Sequence, residues 1–269
     1  MKITRLGWAG LQLDAAGETA IVDLLQDASP MEKFMGRPHT ALPAPTSRPG
    51  SASLALVTHL HDDHTDPAAI AAALAPGGIL LRPAVAEGEF LETAAVAPNE
   101  VRLAELGIDQ RIVAPWDTVQ AGPFTVTAIP AVDGFGDPQV GYVIEAGGTR
   151  VLHHGDTLFH GSWWHVRMRL GAPDVAFLPT NGPLVSLPHR RPGSPVEAVM
   201  GPREAAAAAA ILQAGLAVPI HYDTIHHPPV YAQTEDPAGS FLREAAALGV
   251  DARIVEPGHV AYEGARAAA

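Results

Sequence analysis

Ser53-Leu54-Ala55-Leu56-Val57-Thr58-His59-Leu60-His61-Asp62-Asp63-His64-Thr65-Asp66-Pro67 holds the strongest fold signal and the densest chemistry of the chain. Residues 53–57 are an almost purely apolar run, too short for a helix, and predict a buried strand. Polar groups follow at once. In an extended segment side chains repeat every two residues, so His59 and His61 point to the same side. Asp63 and His64 come where the chain turns into a helix over 68–74, with Asp66 as its cap and Pro67 at its first position. A lone histidine here would be read as part of a solvated loop. Three imidazoles among several carboxylates would repel one another if protonated and are costly to bury unpaired. A divalent cation takes up their lone pairs, which makes His59, His61, Asp63 and His64 candidate metal ligands.

Outward from this stretch, strand and helix signals alternate. Short apolar runs within 3–22, broken at Ala16-Gly17, predict a hairpin or meander. Residues 26–51 hold Pro30, Pro38, Pro43, Pro45 and Pro49 with little periodicity, which predicts a long ordered loop or a lid. Asn99 is expected to cap a helix over 100–106 that Gly107 stops. Strands are expected at 124–129, 140–145 and 149–153, the last two joined across Gly147-Gly148, and again at 175–178 and 218–220. Helices are expected from Pro202 to about Ala214 and over 241–248, with late strands at 254–255 and 260–262. Two sheet-bearing halves with interspersed helices imply a layered α/β sandwich. No boundary appears near the middle, so one domain over 1–269 is expected.

Composition narrows the function classes. With 47% apolar and 17% charged residues, the chain is globular in character and not disordered. A net charge of −12 and the lack of any Lys/Arg run argue against nucleic acid and anionic membranes as partners. No stretch reaches the roughly 20 apolar residues of a membrane span. Gln12 and Asp14 interrupt the opening apolar run before it reaches signal-peptide length, so a cytoplasmic protein acting on a small molecule is expected. Cysteine is absent, so any metal must be held by the carboxylates and the 13 histidines. A homo-oligomer stays open.

The segment from His59 to His64 resembles the signature of the metallo-β-lactamase superfamily, and further pieces follow in that family's order. Lys2-Ile3-Thr4-Arg5-Leu6-Gly7-Trp8-Ala9-Gly10 is similar to the first strands of the ascorbate-6-phosphate lactonase-like branch. Gly155-Asp156-Thr157 resembles the family's Gly-Asp-Thr, whose aspartate bridges two metals. Pro219-Ile220-His221-Tyr222 resembles the segment of its last metal-binding histidine, and Pro173-Asp174-Val175-Ala176-Phe177-Leu178-Pro179 the strand between them. The resemblance spans about residues 1–225. It implies a four-layer αββα sandwich with one or two divalent ions at one edge, between the sheets. It assigns His59 and His61 to a first ion, Asp63, His64 and His221 to a second, and Asp156 to both. Zinc is the first expectation, with manganese or iron as alternatives.

One position departs from the family. Where a third histidine for the first ion is normal, this sequence carries Asp133, a carboxylate that can ligate zinc and suits harder ions better than imidazole does. Trp8 stands where relatives often have histidine and is expected to shape the substrate pocket, together with Tyr222 and His226. Tyr222 and Thr224 are also candidates to protonate a leaving group. His153 or His154 is expected to support the ligands from behind. His39, His160, His165 and His189 are expected in loops, and the pair Arg190-Arg191 could receive an anionic group. The resemblance implies a metal-dependent hydrolase that attacks a small ester, lactone or phosphodiester with activated water, Asp63 orienting the water and taking its proton. Two other functions fit the same residues: a non-catalytic metal-binding or regulatory protein, which Asp133 favours, and a mononuclear-iron redox enzyme.

Overall fold

Strand alternation builds the layers of this molecule. The structure is a computed structural model that describes residues 1–188 and 190–264, so His189 lies outside the described residues. The first half runs β1 (Lys2–Gly7), β2 (Gly10–Ala15), β3 (Glu18–Val22), α1 (Ser29–Met35), β4 (Ala52–Leu56), α2 (Pro67–Ala73), β5 (Leu74–Arg82), α3 (Phe90–Thr93), α4 (Ala97–Glu105) and β6 (Asp109–Ile112). The second runs β7 (Thr118–Ala121), β8 (Phe124–Pro130), β9 (Val140–Ala146), β10 (Thr149–His153), α5 (Trp163–Leu170), β11 (Val175–Pro179), β12 (Leu184–Val185), α6 (Pro202–Leu212), β13 (Ala217–Ile220), β14 (Tyr231–Ala232), α7 (Pro237–Ala247) and β15 (Val260–Glu263).

The strands form a seven-stranded sheet, β15-β1-β2-β3-β4-β5-β6, a six-stranded sheet, β13-β11-β10-β9-β8-β7, and a small β12-β14 ribbon. Leu54 and Leu56 of β4 face the second sheet, in one core with Val151, Val175 and Phe177. Ala55 and Val57 face the other way and pack with Ile70 of α2 and Leu103 of α4. In the second sheet Leu152, Ala176 and Leu178 turn outward onto Trp163 of α5, Ala205 and Ala209 of α6 and Phe241 of α7. Each sheet thus buries both faces, and the αββα sandwich follows. The alanine run of α6 has a packing role, since small side chains let the helix approach the sheet and α7 closely.

Several local expectations need correction. Asn99 does not cap α4. It is buried within that helix, where its Nδ2 donates to the Leu60 carbonyl (3.0 Å) and to Asp62 Oδ1 (2.9 Å), bracing the histidine-rich loop. Asp66 does cap α2, its side chain accepting from Ala69 N at 2.9 Å. Strand β5 follows α2 directly although Pro76-Gly77-Gly78 reads as a turn. A Cβ on Gly78 would stand 2.9 Å from the Ala52 carbonyl oxygen, so only glycine allows that pairing. Helix α6 ends at Leu212, because Gln213 takes a left-handed conformation (φ 53°). Residues 254–255 form no strand, and the Val255 carbonyl accepts from Arg5 Nη1 at 2.6 Å instead. The proline-rich segment contains α1 and is otherwise an anchored loop, with Thr46 N donating to Gln12 Oε1 (2.7 Å) and His39 N to the Thr224 carbonyl (2.8 Å).

Candidate metal centre

Parallel pairing decides where the chemistry collects. β3, β4 and β5 run parallel in one sheet, and β10, β11 and β13 in the other. Their carboxyl ends therefore deliver Asp23, the Thr58–His64 loop, Asp156, Asn181 and His221 to one edge of the sandwich, where loops can bind ligands.

Seven of the sequence candidates are buried there, though not all in one group. His59, His64 and Asp156 offer ligand atoms within 4.8 Å of one another, as do His59, His61 and Asp63, and Asp63, His64 and His221. His64 Nε2 lies 3.1 Å from His221 Nε2 and 3.6 Å from Asp63 Oδ2. His59 Nε2 lies 2.9 Å from His61 Nδ1 and 3.5 Å from Asp156 Oδ1. Asp156 Oδ2 is 3.9 Å from His64 Nε2 and 4.0 Å from His221 Nε2. Asp133 falls elsewhere: it groups with His61 and Asp137, and its carboxylate accepts from Phe135 N at 3.1 Å.

The outer hydrogen bonds fix the tautomers. Thr58 Oγ1 donates to Asp23 Oδ2 (2.8 Å), so it can only accept at its 3.1 Å contact with His59 Nδ1. His64 Nδ1 donates to Asp23 Oδ2 (2.8 Å), His61 Nε2 to Asp137 Oδ2 (2.9 Å) and His221 Nδ1 to Asn181 Oδ1 (3.0 Å). In the neutral rings every second nitrogen is therefore a lone pair facing inward, onto other lone pairs and onto carboxylates. Buried acceptors that face only acceptors call for a cation, and the donor set fits a divalent metal.

Charge tells the same story. Burial works against charge on His64, but Asp63 and Asp23 outweigh it and raise the imidazole to about 10. Burial likewise opposes charge on His61, and the bond to Asp137 with the nearby Asp133 carboxylate raises it to about 9. His221, where burial prevails, falls to about 4, and His59 drops well below its ordinary value for the same reason. Burial lifts Asp156 to about 7 against the pull of His64. Asp63 is held well below the usual carboxylate range, because His64 and the adjacent His221 ring overcome its burial.

Among the other expected site residues, Trp8 is fully buried: its Nε1 donates to Asp63 Oδ2 (3.0 Å) and its ring lies 3.9 Å from that of His221. It braces two candidate ligands and does not line the open cleft. Tyr222 points away from the centre, its hydroxyl accepting from Arg5 Nη1 at 2.9 Å beside a different surface cleft. Thr224 is buried against Thr40 Oγ1 (2.7 Å). His226 is exposed and accepts from Gln233 N at 3.3 Å. His153 does lie behind the cluster, its Nδ1 3.9 Å from Asp23 Oδ2, while the next residue, His154, points into the opposite layer against Trp163. Asp23, Asp137, Gln139 (Nε2 donating to Asp156 Oδ1, 2.8 Å) and Asn181 went unnamed in the sequence reading. Asp23→Asn removes the acceptor shared by Thr58 and His64. Isothermal titration is expected to show metal affinity falling about 10- to 100-fold.

A family model described as a beta-lactamase superfamily domain matches residues 23–222. The chain belongs to the metallo-β-lactamase superfamily. A UPF0173 metal-dependent hydrolase of Methanopyrus kandleri is 28% identical to this superfamily member over 275 residues, covering 98% of this chain and 100% of the relative. Another, from Aeropyrum pernix, is 28% identical over 270 residues, 97% of each chain. Among solved structures, Igni18, a metallo hydrolase from Ignicoccus hospitalis, superposes with a TM-score of 0.66 at 20% identity, over 98% of this chain and 99% of that one.

Proposed function

We propose that this superfamily member is a metal-dependent hydrolase of a small ester, lactone or phosphodiester, with the buried His/Asp centre as its active site. The convergence of inward lone pairs from His59, His61, His64 and His221 around Asp63 and Asp156 carries this reading. In it, Asp63, His64 and His221 would hold one ion, His59 and His61 would hold another, and Asp156 would serve both. The nitrogen-rich set suits zinc. The carboxylates Asp133 and Asp137 behind His61 leave the first position open to a harder ion such as manganese. A bound divalent cation lowers the pKa of water toward neutrality and polarises the substrate oxygen.

The chain's own groups supply the rest. Asp63 stays ionised, and its Oδ2 is fixed by the Trp8 indole, so its Oδ1 is the atom that orients water and accepts the proton. Gln139 holds the Asp156 carboxylate in place, and Asn181 sets the His221 ring. The open cleft that touches His61, Asp63 and Asp156 admits the substrate, with α1 as one wall. Chelator treatment is expected to abolish hydrolysis of a panel of chromogenic esters, lactones and phosphodiesters, and stoichiometric zinc or manganese to restore it. Bound metal without turnover on any class would instead support a binding protein.

A further inference from the structure

We propose that the substrate's body is uncharged and apolar, an acyl or alkyl group seated between α1 and the 135–187 wall. This rests on the hydrolase reading of the same centre. The cleft offers about 200 Å³ beside His61, Asp63 and Asp156. Met31, Phe34 and Met35 line one side, and Phe135, Val185 and Leu187 the other. Three of these come from a single face of α1, within the proline-rich segment.

Charge works against an anionic body. Apart from His61, whose imidazole the ion would take up, Arg190 is the one cationic side chain on the cleft among the described residues, and its two terminal nitrogens are already engaged. Its Nη1 donates to the Phe135 carbonyl (2.9 Å), its Nη2 to Asp137 Oδ2 (3.2 Å), and its guanidinium lies 5.0 Å over the Phe135 ring. Arg190 thus braces the wall, and Arg191 does not line the cleft. Asp62, which is not among the candidate ligands, also opens onto the cleft, so an anionic substrate body would meet a carboxylate there, with no free cation among the described residues. A sugar-like body fares no better, because the apolar walls cannot replace its hydrogen bonds to water. The hydroxyl of Tyr231, which also lines the cleft, accepts from Asn181 Nδ2 at 2.8 Å.

Zinc-loaded protein of measured metal content is titrated calorimetrically with acetohydroxamate, hexanohydroxamate and the monohydroxamate of adipic acid. All three share one metal-binding head and differ only in the tail. Each buried methylene is worth about fourfold in affinity, so the hexanoyl form is expected to bind at least about 20-fold tighter than the acetyl form. The adipic form is expected to lose at least about tenfold against the hexanoyl one, since its terminal carboxylate must be desolvated without a partner. Phe34→Ala is expected to shrink the hexanoyl-to-acetyl ratio by about threefold or more. Acetohydroxamate binding with no gain from the longer tail, or tightest binding by the adipic form, overturns the apolar assignment alone. If acetohydroxamate itself fails to bind, the metal-centre reading fails and takes this inference with it.

Discussion

Asp156→Ala lowers kcat/KM of the metal-loaded protein on the order of 1,000-fold or more, with far-ultraviolet circular dichroism unchanged. Asp156 comes within 4.0 Å of His59, His64 and His221 together, and with Asp63 it is one of two carboxylates that reach both halves of the centre. Removing it takes a carboxylate away from His59, His64 and His221 at once, and Asp63 alone is left to link the two halves. Metal content is therefore expected to drop as well, read by elemental analysis after dialysis against chelator-treated buffer. The fold should survive, because Asp156 lies beyond β10 and the interaction lost is its bond from Gln139 Nε2.

The metal-free protein should respond in the opposite sense. Burial has raised the Asp156 carboxyl to about 7, above its unfolded value, so ionisation opposes folding once pH exceeds the unfolded pKa. Asp156→Asn is then expected to raise the melting temperature of the metal-free protein at pH 8 while destroying activity. A variant that keeps turnover within tenfold of the parent would remove Asp156 from the centre. A variant less stable than the parent without metal would show that its charge already has a partner.

Local sequence was informative where one segment both forms an element and carries the chemistry. The 53–67 stretch announced its strand, its helix and its candidate ligands because periodicity, cap and imidazoles lie within a few residues of one another. Asp156 and His221 came from the resemblance to the family's Gly-Asp-Thr and last-histidine segments, and each stands shortly after an apolar strand. That signal extends further than it was used. Asp23 follows β3 and Asn181 follows β11 almost directly, and both are buried polar residues at the same sheet edge. A polar residue at the carboxyl end of a buried strand was the available clue. Asp137 had none, since its partner His61 is 76 residues away and only the tertiary fold joins them. Tyr222 and His226 misled for the reverse reason. Nearness in sequence to His221 says little where the backbone turns sharply, and His221 itself takes φ 60°, which throws the following side chains out toward Arg5 and solvent.

Metal binding at pH 7 releases between about two and three protons per chain, because the raised imidazoles, and the half-protonated Asp156, must give up a proton to become ligands. In the metal-free protein His61 titrates at about 9 and His64 at about 10, so both are charged at neutral pH. Each already donates from its outer nitrogen, to Asp137 and to Asp23, so the proton that leaves is the inner one, on His61 Nδ1 and His64 Nε2. His59 and His221, pushed down by burial, are neutral and contribute none. Titration calorimetry in buffers of different ionisation enthalpy reads this number directly. Apparent affinity should climb on the order of 100-fold per pH unit between pH 7 and 9, about tenfold from there to pH 10, and level off above it.

Stability without metal moves the other way. The two raised imidazoles stabilise the metal-free fold fully below their unfolded pKa of about 6.5, and that contribution is lost as pH rises through 9 to 10. The metal-free melting temperature should therefore fall between pH 7 and 10, whereas the loaded protein, whose inner nitrogens carry no proton, should not show that decline. Proton release near zero, with affinity flat across the same range, would mean that His61 and His64 do not ligate the ion, and the centre would have to be built from other residues.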